Sequence, residues 1–281
     1  MLFDIAFDVL KDNIKILPFL FLAYLLIEWL ERHAEEHSVE LVSRHRALGP
    51  VAGGVLGVIP QCGFSAATSN LYAGQLISRG TLLAVFLSTS DEMLPIMAAS
   101  AAPAGLIVKI LVYKILCGIA VGLIVDAFER RHPANRPKVD LCEQEGCHCE
   151  EEEGIIRPAF FHSVKIFLFL LFTTFLVSLA VETVGEDTLQ GFILNVPVAG
   201  ELLAGLIGLI PNCAASVIIT NLYLQGGMSV GAMLAGLLTG SGVGLLVLFR
   251  MNKDYKDDFK TLGILYVSGV LLGLLADVVF G

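Results

Sequence analysis

The stretch Ile59-Pro-Gln-Cys-Gly-Phe-Ser-Ala-Ala-Thr-Ser-Asn-Leu-Tyr72 occurs twice in this chain. A second copy, Ile210-Pro-Asn-Cys-Ala-Ala-Ser-Val-Ile-Ile-Thr-Asn-Leu-Tyr223, begins 151 residues later and is identical at seven of the fourteen positions. Unrelated segments of this length would share about one identity, so the two copies indicate an internal repeat. Each copy places a proline inside strongly apolar sequence. Paired segments of this kind in the two halves of a membrane protein point to a transporter's binding site.

The repeat extends well beyond this motif. At the same offset, twelve further residues of the first half recur in the second, among them Gly54, Gly57, Ser78, Gly80, Ser90, Lys109, Gly118, Gly122 and Asp126. We therefore divide the chain into a first transmembrane repeat (1–128), an acidic linker (129–158) and a second transmembrane repeat (159–281).

The composition indicates an integral membrane protein. The chain of 281 residues is 56% hydrophobic, above the roughly 45–50% of soluble domains. Several windows approach the roughly 20 apolar residues that span a bilayer, including 14–30, 106–125, 164–181 and 262–279. The net charge of −9 comes mainly from loops, and no basic stripe interleaved with aromatic residues suggests nucleic acid.

The hydrophobic pattern predicts an all-α polytopic protein. Each half contains one plain helix, one segment broken by proline and glycine, and two further helices. We place these elements at about 13–31, 48–77, 80–99 and 105–128, and again at about 159–183, 197–227, 229–249 and 260–280. Each broken segment can form two short helices, so the chain has about eight to ten membrane segments.

Loop charges predict that the second repeat is inverted relative to the first. Loop 31–47 is basic whereas its counterpart 185–196 has no Lys or Arg, and loop 100–105 is uncharged whereas its counterpart 250–260 is basic. Corresponding loops of opposite basic content are what the positive-inside rule requires of inverted repeats. The linker then lies in the cytoplasm and both termini lie outside.

Polar residues after each proline share one helical face. Their spacing is i, i+3, i+7 and i+10, and the two sets are Cys62, Ser65, Ser69 and Tyr72, then Cys213, Ser216, Thr220 and Tyr223. We expect these stripes to line a shared substrate path. Each proline interrupts its helix, which exposes carbonyls suited to a cation and amides suited to an anion or thiolate. The residues leave both possibilities open.

A pair of carboxylates marks the first repeat alone. In Ser88-Thr-Ser-Asp-Glu-Met-Leu-Pro95, helical spacing places Ser88, Asp91, Glu92 and Pro95 on one face near the middle of an apolar span. Carboxylates at that depth cost several kcal/mol and usually mark ion or proton pathways. The second repeat has Gly242 and Val243 in place of the two acids.

The linker carries three cysteines and a histidine followed by glutamates: Cys142, Cys147, His148 and Cys149. Thiols and imidazole are ligands for soft or borderline metals, so this cluster is a possible metal site. Its spacing fits no established zinc motif, and an acidic linker with incidental cysteines is an equal alternative.

The duplicated Pro-Gln/Asn-Cys motif and the Ser-Thr-Ser-Asp-Glu-Met-Leu-Pro stretch resemble the ten-helix heavy-metal exporter family, often described as manganese transporters and related to arsenic permease-like efflux proteins. The resemblance covers about 10–128 and 158–281. It implies an efflux carrier in the plasma membrane of a prokaryote. The residues it points to are Pro60, Gln61, Cys62, Asn70, Asp91, Glu92, Pro211, Asn212, Cys213 and Asn221.

We therefore expect a secondary transporter that exports a heavy-metal or metalloid species, with protons as the coupling ion and no resident cofactor. No G-x-x-x-x-G-K-[ST] motif is present for nucleotide-driven transport. Carboxylates favour a divalent metal such as manganese, whereas Cys62 and Cys213 favour trivalent arsenic or an organoarsenical. An organic-solute transporter and a metal-sensing scaffold remain alternatives. An enzyme using Cys62 as nucleophile is disfavoured, because no predicted span holds a histidine base.

Overall fold

A computed structural model describes residues 48–58, 62–90, 93–100, 102–131, 199–211, 213–252 and 254–280, with isolated positions between 10 and 25 and between 156 and 179. Ten α-helices occupy the continuous described ranges. They are α1 (Leu48–Leu56), α2 (Cys62–Ala73), α3 (Arg79–Ser88), α4 (Met93–Ala99), α5 (Ala104–Arg131), α6 (Ala199–Gly208), α7 (Cys213–Leu224), α8 (Val230–Thr239), α9 (Gly244–Met251) and α10 (Tyr255–Phe280).

Each broken segment forms two short helices, as predicted: α1 and α2 in the first repeat, α6 and α7 in the second. The prediction of single helices over 80–99 and 229–249 is wrong. The first is interrupted between Ser88 and Met93, and the second between Thr239 and Gly244. Ser88 and Pro95 therefore belong to different helices and do not share the helical face expected of them, whereas Asp91 and Glu92 lie outside the described residues. Apolar periodicity misses such a break because the flanking residues are apolar on both sides.

Four helical stretches in the described residues are long and apolar enough to cross a membrane: Arg79–Ala99, Ala104–Glu129, Val230–Met251 and Tyr255–Phe280. They fall into two kinds. The broken stretches α3–α4 and α8–α9 are 69% and 83% buried in their most apolar windows, whereas α5 and α10 are only 28% buried. The exposed side chains of α5 include Val108, Val112 and Leu116, which suit contact with lipid. The interrupted helices thus form the centre and the long helices the periphery.

The two repeats use the same contacts to attach their central helix to their long helix. Asp126 accepts hydrogen bonds from the Gly80 amide (2.9 Å) and the Ser78 hydroxyl (2.7 Å) at the start of α3. Asp277 does the same at the start of α8, with the Gly231 amide at 2.6 Å and the Ser229 hydroxyl at 3.1 Å. Both serines also cap their helices. The sequence repeat is therefore a structural repeat.

Small residues let these helices approach closely. A Cβ atom added at Gly122 of α5 would lie 2.5 Å from the Gly80 carbonyl oxygen, and one added at Gly273 of α10 would lie 2.7 Å from that of Gly231. Contact between glycine backbones is a common way for membrane helices to gain packing energy, because lipid provides no hydrophobic drive between them.

The repeats pack on each other through reciprocal helix pairs. α2 of the first repeat packs on α9 of the second, and α7 of the second packs on α4 of the first. α7 is the counterpart of α2, and α4 is the counterpart of α9. The two pairs therefore join equivalent elements with the repeats exchanged.

The long helices α5 and α10, which are counterparts, meet at two side-chain contacts that occur in opposite order along the two helices. Near the end of α5, Glu129 lies 3.8 Å from Lys260, near the start of α10. Farther back on α5, the Tyr113 hydroxyl donates to the Leu272 carbonyl (2.5 Å), well along α10. These contacts mean that the two helices run antiparallel.

Candidate functional site

A small cavity with a mixed polar and apolar lining lies where the interruptions of both repeats meet. Its volume is about 20 Å³, room for a single water or ion. The first repeat contributes the two residues after α3, and the second contributes the end of α6, the start of α7 and the break between α8 and α9. The lining residues are Thr89, Ser90, Gly208, Ile210, Ala215, Ser216, Gly236, Leu237, Gly240 and Gly242.

The first-repeat wall consists of Thr89 and Ser90, both buried. The Thr89 hydroxyl donates to the Val85 carbonyl (2.7 Å) and the Ser90 hydroxyl to the Ser88 carbonyl (3.3 Å), so both fold back on the end of α3. The next two residues in the chain are Asp91 and Glu92, and α4 begins directly after them. The predicted carboxylate pair therefore follows directly in sequence after two residues that line the cavity.

The second-repeat wall is the interruption between α8 and α9. Gly242 has a positive φ of 54°, a conformation that favours glycine over the aspartate found at the equivalent position in the first repeat. Between the lining residues Gly240 and Gly242 lies Ser241, which is buried and whose hydroxyl has no hydrogen-bond partner within the described part of the chain. Ser241 is the counterpart of Ser90, so the two breaks bring equivalent serines to the same region.

Lys114, in the middle of the apolar helix α5, is fully buried beside this cavity. Its ammonium donates to the Thr89 carbonyl oxygen and, at 2.9 Å, to the Leu237 carbonyl oxygen. Both acceptor residues line the cavity, one from each repeat. A positive charge inside a membrane span is a strong functional signal. Lys114 was not among the predicted site residues, although its charge is visible within an apolar window of the sequence.

Two residues of the polar stripe on α2, which we predicted to line a substrate path, are buried. Ser65 and Ser69 are both fully buried, and the Ser69 hydroxyl contacts both the Ser65 carbonyl (3.0 Å) and the Gly244 carbonyl of α9 (2.8 Å). Asn70 is also fully buried, and among the described residues neither its amide nitrogen nor its carbonyl oxygen has a hydrogen-bond partner. An unsatisfied buried polar group costs about 1–3 kcal/mol.

The other predicted path residues differ in their surroundings. The Ser88 hydroxyl donates to the Ala84 carbonyl (2.8 Å) and faces Gly57, which directly follows α1. In α7, Ser216 lines the cavity, the Thr220 hydroxyl donates to the Ser216 carbonyl (2.7 Å), and Asn221 is exposed. The stripe on α7 is therefore less enclosed than that on α2.

Several predicted metal ligands lie outside the described residues: Gln61, Asp91, Glu92, Asn212 and the linker residues Cys142, Cys147, His148 and Cys149. Cys62 and Cys213 are the first residues of α2 and α7, equivalent positions in the two repeats, but their side chains are not described either. Within the part of the chain that the structure does describe, no group of three or more His, Cys, Asp and Glu side chains is arranged to hold a metal ion.

Comparison with known proteins identifies one family. The model of the family described as "Putative, 10TM heavy-metal exporter" matches residues 2–185, about two thirds of the chain. This match spans the first repeat, the linker and the first predicted helix of the second repeat. No curated protein and no solved structure matches the sequence.

Proposed function

The chain belongs to the family of ten-helix heavy-metal exporters, and from this premise we propose that it is a secondary-active exporter of a divalent metal such as manganese, coupled to protons. The cavity between the interrupted helices is the proposed cargo site. Asp91 and Glu92 are the proposed metal ligands and proton carriers. The metal is the cargo, and the proposal includes no resident cofactor.

The position of the cavity is the observation that carries this proposal. Thr89 and Ser90 line it, and the two acids follow them directly in the chain. Transporters place cargo and ion sites near the midplane, at the interface of their repeats, where helices are discontinuous. Here the interruptions of α3–α4 and α8–α9 provide such an interface, and α6 and α7 complete it.

The oxygen chemistry around the cavity favours a divalent metal over a soft metalloid. Three of the lining residues, Thr89, Ser90 and Ser216, carry hydroxyl groups, and the carboxylates of Asp91 and Glu92 would add charged oxygen ligands, a set suited to Mn²⁺. Cys62 and Cys213 begin α2 and α7, where the positive helix ends would favour a thiolate. Trivalent arsenic bound by these two cysteines is therefore the competing outcome of the test.

Inverted repeats are part of the proposal because they provide alternating access. Two observations support them: the reciprocal packing of α2 on α9 and α7 on α4, and the antiparallel course of α5 and α10. Rocking one repeat against the other about the shared cavity would expose the cargo to each side in turn. The cluster of basic residues in loop 250–260 places that loop in the cytoplasm in this scheme.

The test is metal flux in proteoliposomes that contain the full-length protein and a trapped metal-sensitive dye. A panel of Mn²⁺, Zn²⁺, Cd²⁺ and arsenite is offered with and without an imposed pH gradient. We expect gradient-driven Mn²⁺ flux in the wild-type protein. Asp91→Asn should abolish it, and Glu92→Gln should abolish it or remove its pH dependence.

A matched control is Asp254→Asn. Asp254 is exposed and its carboxylate accepts the Lys256 amide (3.1 Å) just before α10, a capping role that asparagine fills equally well. It should transport at the wild-type rate. Wild-type flux by the double Asp91→Asn, Glu92→Gln protein would eliminate the carboxylate mechanism. Arsenite flux that is lost in Cys62→Ser and Cys213→Ser would instead assign the metalloid.

A further inference from the structure

Lys114 is a buried cation that the proposed transport step does not use. It lies near the middle of α5, between Tyr113 and Ile115, in a helix whose other central residues are apolar. A charged side chain at such a position costs several kcal/mol unless its surroundings compensate it. Its role must therefore be sought in what its ammonium touches.

The ammonium bridges the carboxyl ends of two interrupted helices. Thr89 is the residue that ends α3, and Leu237 lies in the last turn of α8, which ends at Thr239. Carbonyls at a helix end lack intrahelical donors and carry the negative end of the helix dipole. Because one acceptor comes from each repeat, the ammonium neutralises two converging dipole ends at the interface.

In transporters with discontinuous helices, such carbonyls usually coordinate a dissolved cation. We propose that Lys114 is a tethered substitute for that cation: its ammonium permanently occupies a carbonyl site built from both repeats. The site thus takes the chemistry of a monovalent cation but needs none from solution. The proposal concerns the assembly of the interface and holds whatever the exporter carries.

The substitution of ion by side chain occurs in one half only. The position equivalent to Lys114 in the second repeat is Leu265, which is buried and apolar. The fixed charge is thus confined to the repeat that also contributes Asp91 and Glu92. The first repeat therefore differs from the second by a buried cation as well as by the two acids.

Removing the ammonium should leave a carbonyl site that a dissolved cation can bind. We test full-length Lys114→Ala in detergent by thermal unfolding, in NaCl or KCl and in choline chloride at the same ionic strength, because choline is too large for the site. In choline chloride, Lys114→Ala should have a lower Tm than the wild type. Na⁺, K⁺ or methylammonium should raise the Tm of Lys114→Ala by about 2–4 °C in a saturable manner. Wild type should be indifferent to the cation. So should Lys109→Ala, which removes an exposed lysine from the same helix.

A second comparison distinguishes charge from packing of the aliphatic stem, and it serves also if Lys114→Ala does not fold. Lys114→Arg keeps a cationic donor, whereas Lys114→Met keeps only the stem. The proposal requires Lys114→Arg to be the more stable of the two. Lys114→Met that equals or exceeds Lys114→Arg would overturn it, as would a folded Lys114→Ala with no response to any of the three cations. These stability readouts do not depend on metal transport, so a failure here is separate from a failure of the exporter proposal.

Discussion

Arg79 provides the sharpest stability prediction, because it joins the two repeats through a buried ionic cluster. Its side chain is 1% exposed and forms ion pairs with Asp257 of α10 and Glu129 of α5. Its Nε also donates to the Tyr72 hydroxyl (3.2 Å), which in turn donates to Asp257 (2.5 Å). The perturbation is Arg79→Met, which removes the buried cation from both carboxylates.

Removing one partner of a buried ion pair costs about 3–5 kcal/mol. Asp257 would keep hydrogen bonds from Tyr72 and, at 3.3 Å, from Asn252, so we expect the lower end of that range. At about 2–4 °C per kcal/mol for a chain of this size, Arg79→Met should lower Tm by about 6–12 °C. The control is Lys260→Met, because Lys260 approaches the same Glu129 at 3.8 Å but is 59% exposed. An exposed pair contributes about 0–1 kcal/mol.

The assay is thermal unfolding of the purified proteins in one detergent, followed by intrinsic fluorescence. The double variant Arg79→Met, Asp257→Asn completes a mutant cycle and should be less destabilised than the sum of the single variants, since the unpaired aspartate is gone. An Arg79→Met protein that melts within about 1 °C of Lys260→Met would refute the reasoning, because burial would then have no influence on the value of the pair.

Two further predictions concern packing and topology. Gly273→Ala should destabilise the protein by about 1–3 kcal/mol, because the new Cβ would lie 2.6 Å from the Ala235 Cβ. The control is Gly263→Ala in the same helix, whose Cβ meets nothing within 4 Å and which should be neutral or stabilising. Equal Tm values for the two variants would contradict the proposed contact. Single cysteines at positions 40 and 256 of a cysteine-free protein should label from the cytoplasm and those at 103 and 190 from outside; labelling of 40 and 190 from one side would exclude inverted repeats.

Much of the helical architecture follows from the sequence. The prolines at 60 and 211 each predicted two short helices, one before and one after the proline. These helices are α1 and α2 in the first repeat and α6 and α7 in the second. The interruptions at 89–92 and 240–243 escaped prediction. Serine and threonine by themselves neither favour nor break a membrane helix. A membrane helix can end at these residues only where a neighbouring group satisfies the backbone carbonyls that the break releases. Lys114 satisfies the Thr89 carbonyl, and it lies 25 residues away in the chain.

The candidate site shows the same division. Ser65, Ser69 and Ser216 were selected from the polar spacing, and the structure buries the first two and lines the cavity with the third. Ser241 was seen only as a matching residue of the repeat, and Lys114 was not weighed at all. Their proximity to the cavity depends on how α5, α8 and α9 pack, and no local spacing encodes those distances.

The sequence by itself determined the membrane class, the duplication and the existence of paired broken helices, because hydropathy, identity at a fixed offset and proline act locally. Only the tertiary structure decided which residues of the two halves meet. The cluster of Arg79 with Asp257 and the bridge from Lys114 to Thr89 and Leu237 join positions up to 178 residues apart. A charge that is buried away from water needs a polar or oppositely charged partner. Tertiary packing decides which residue that partner is, and the local sequence around the charge does not reveal it.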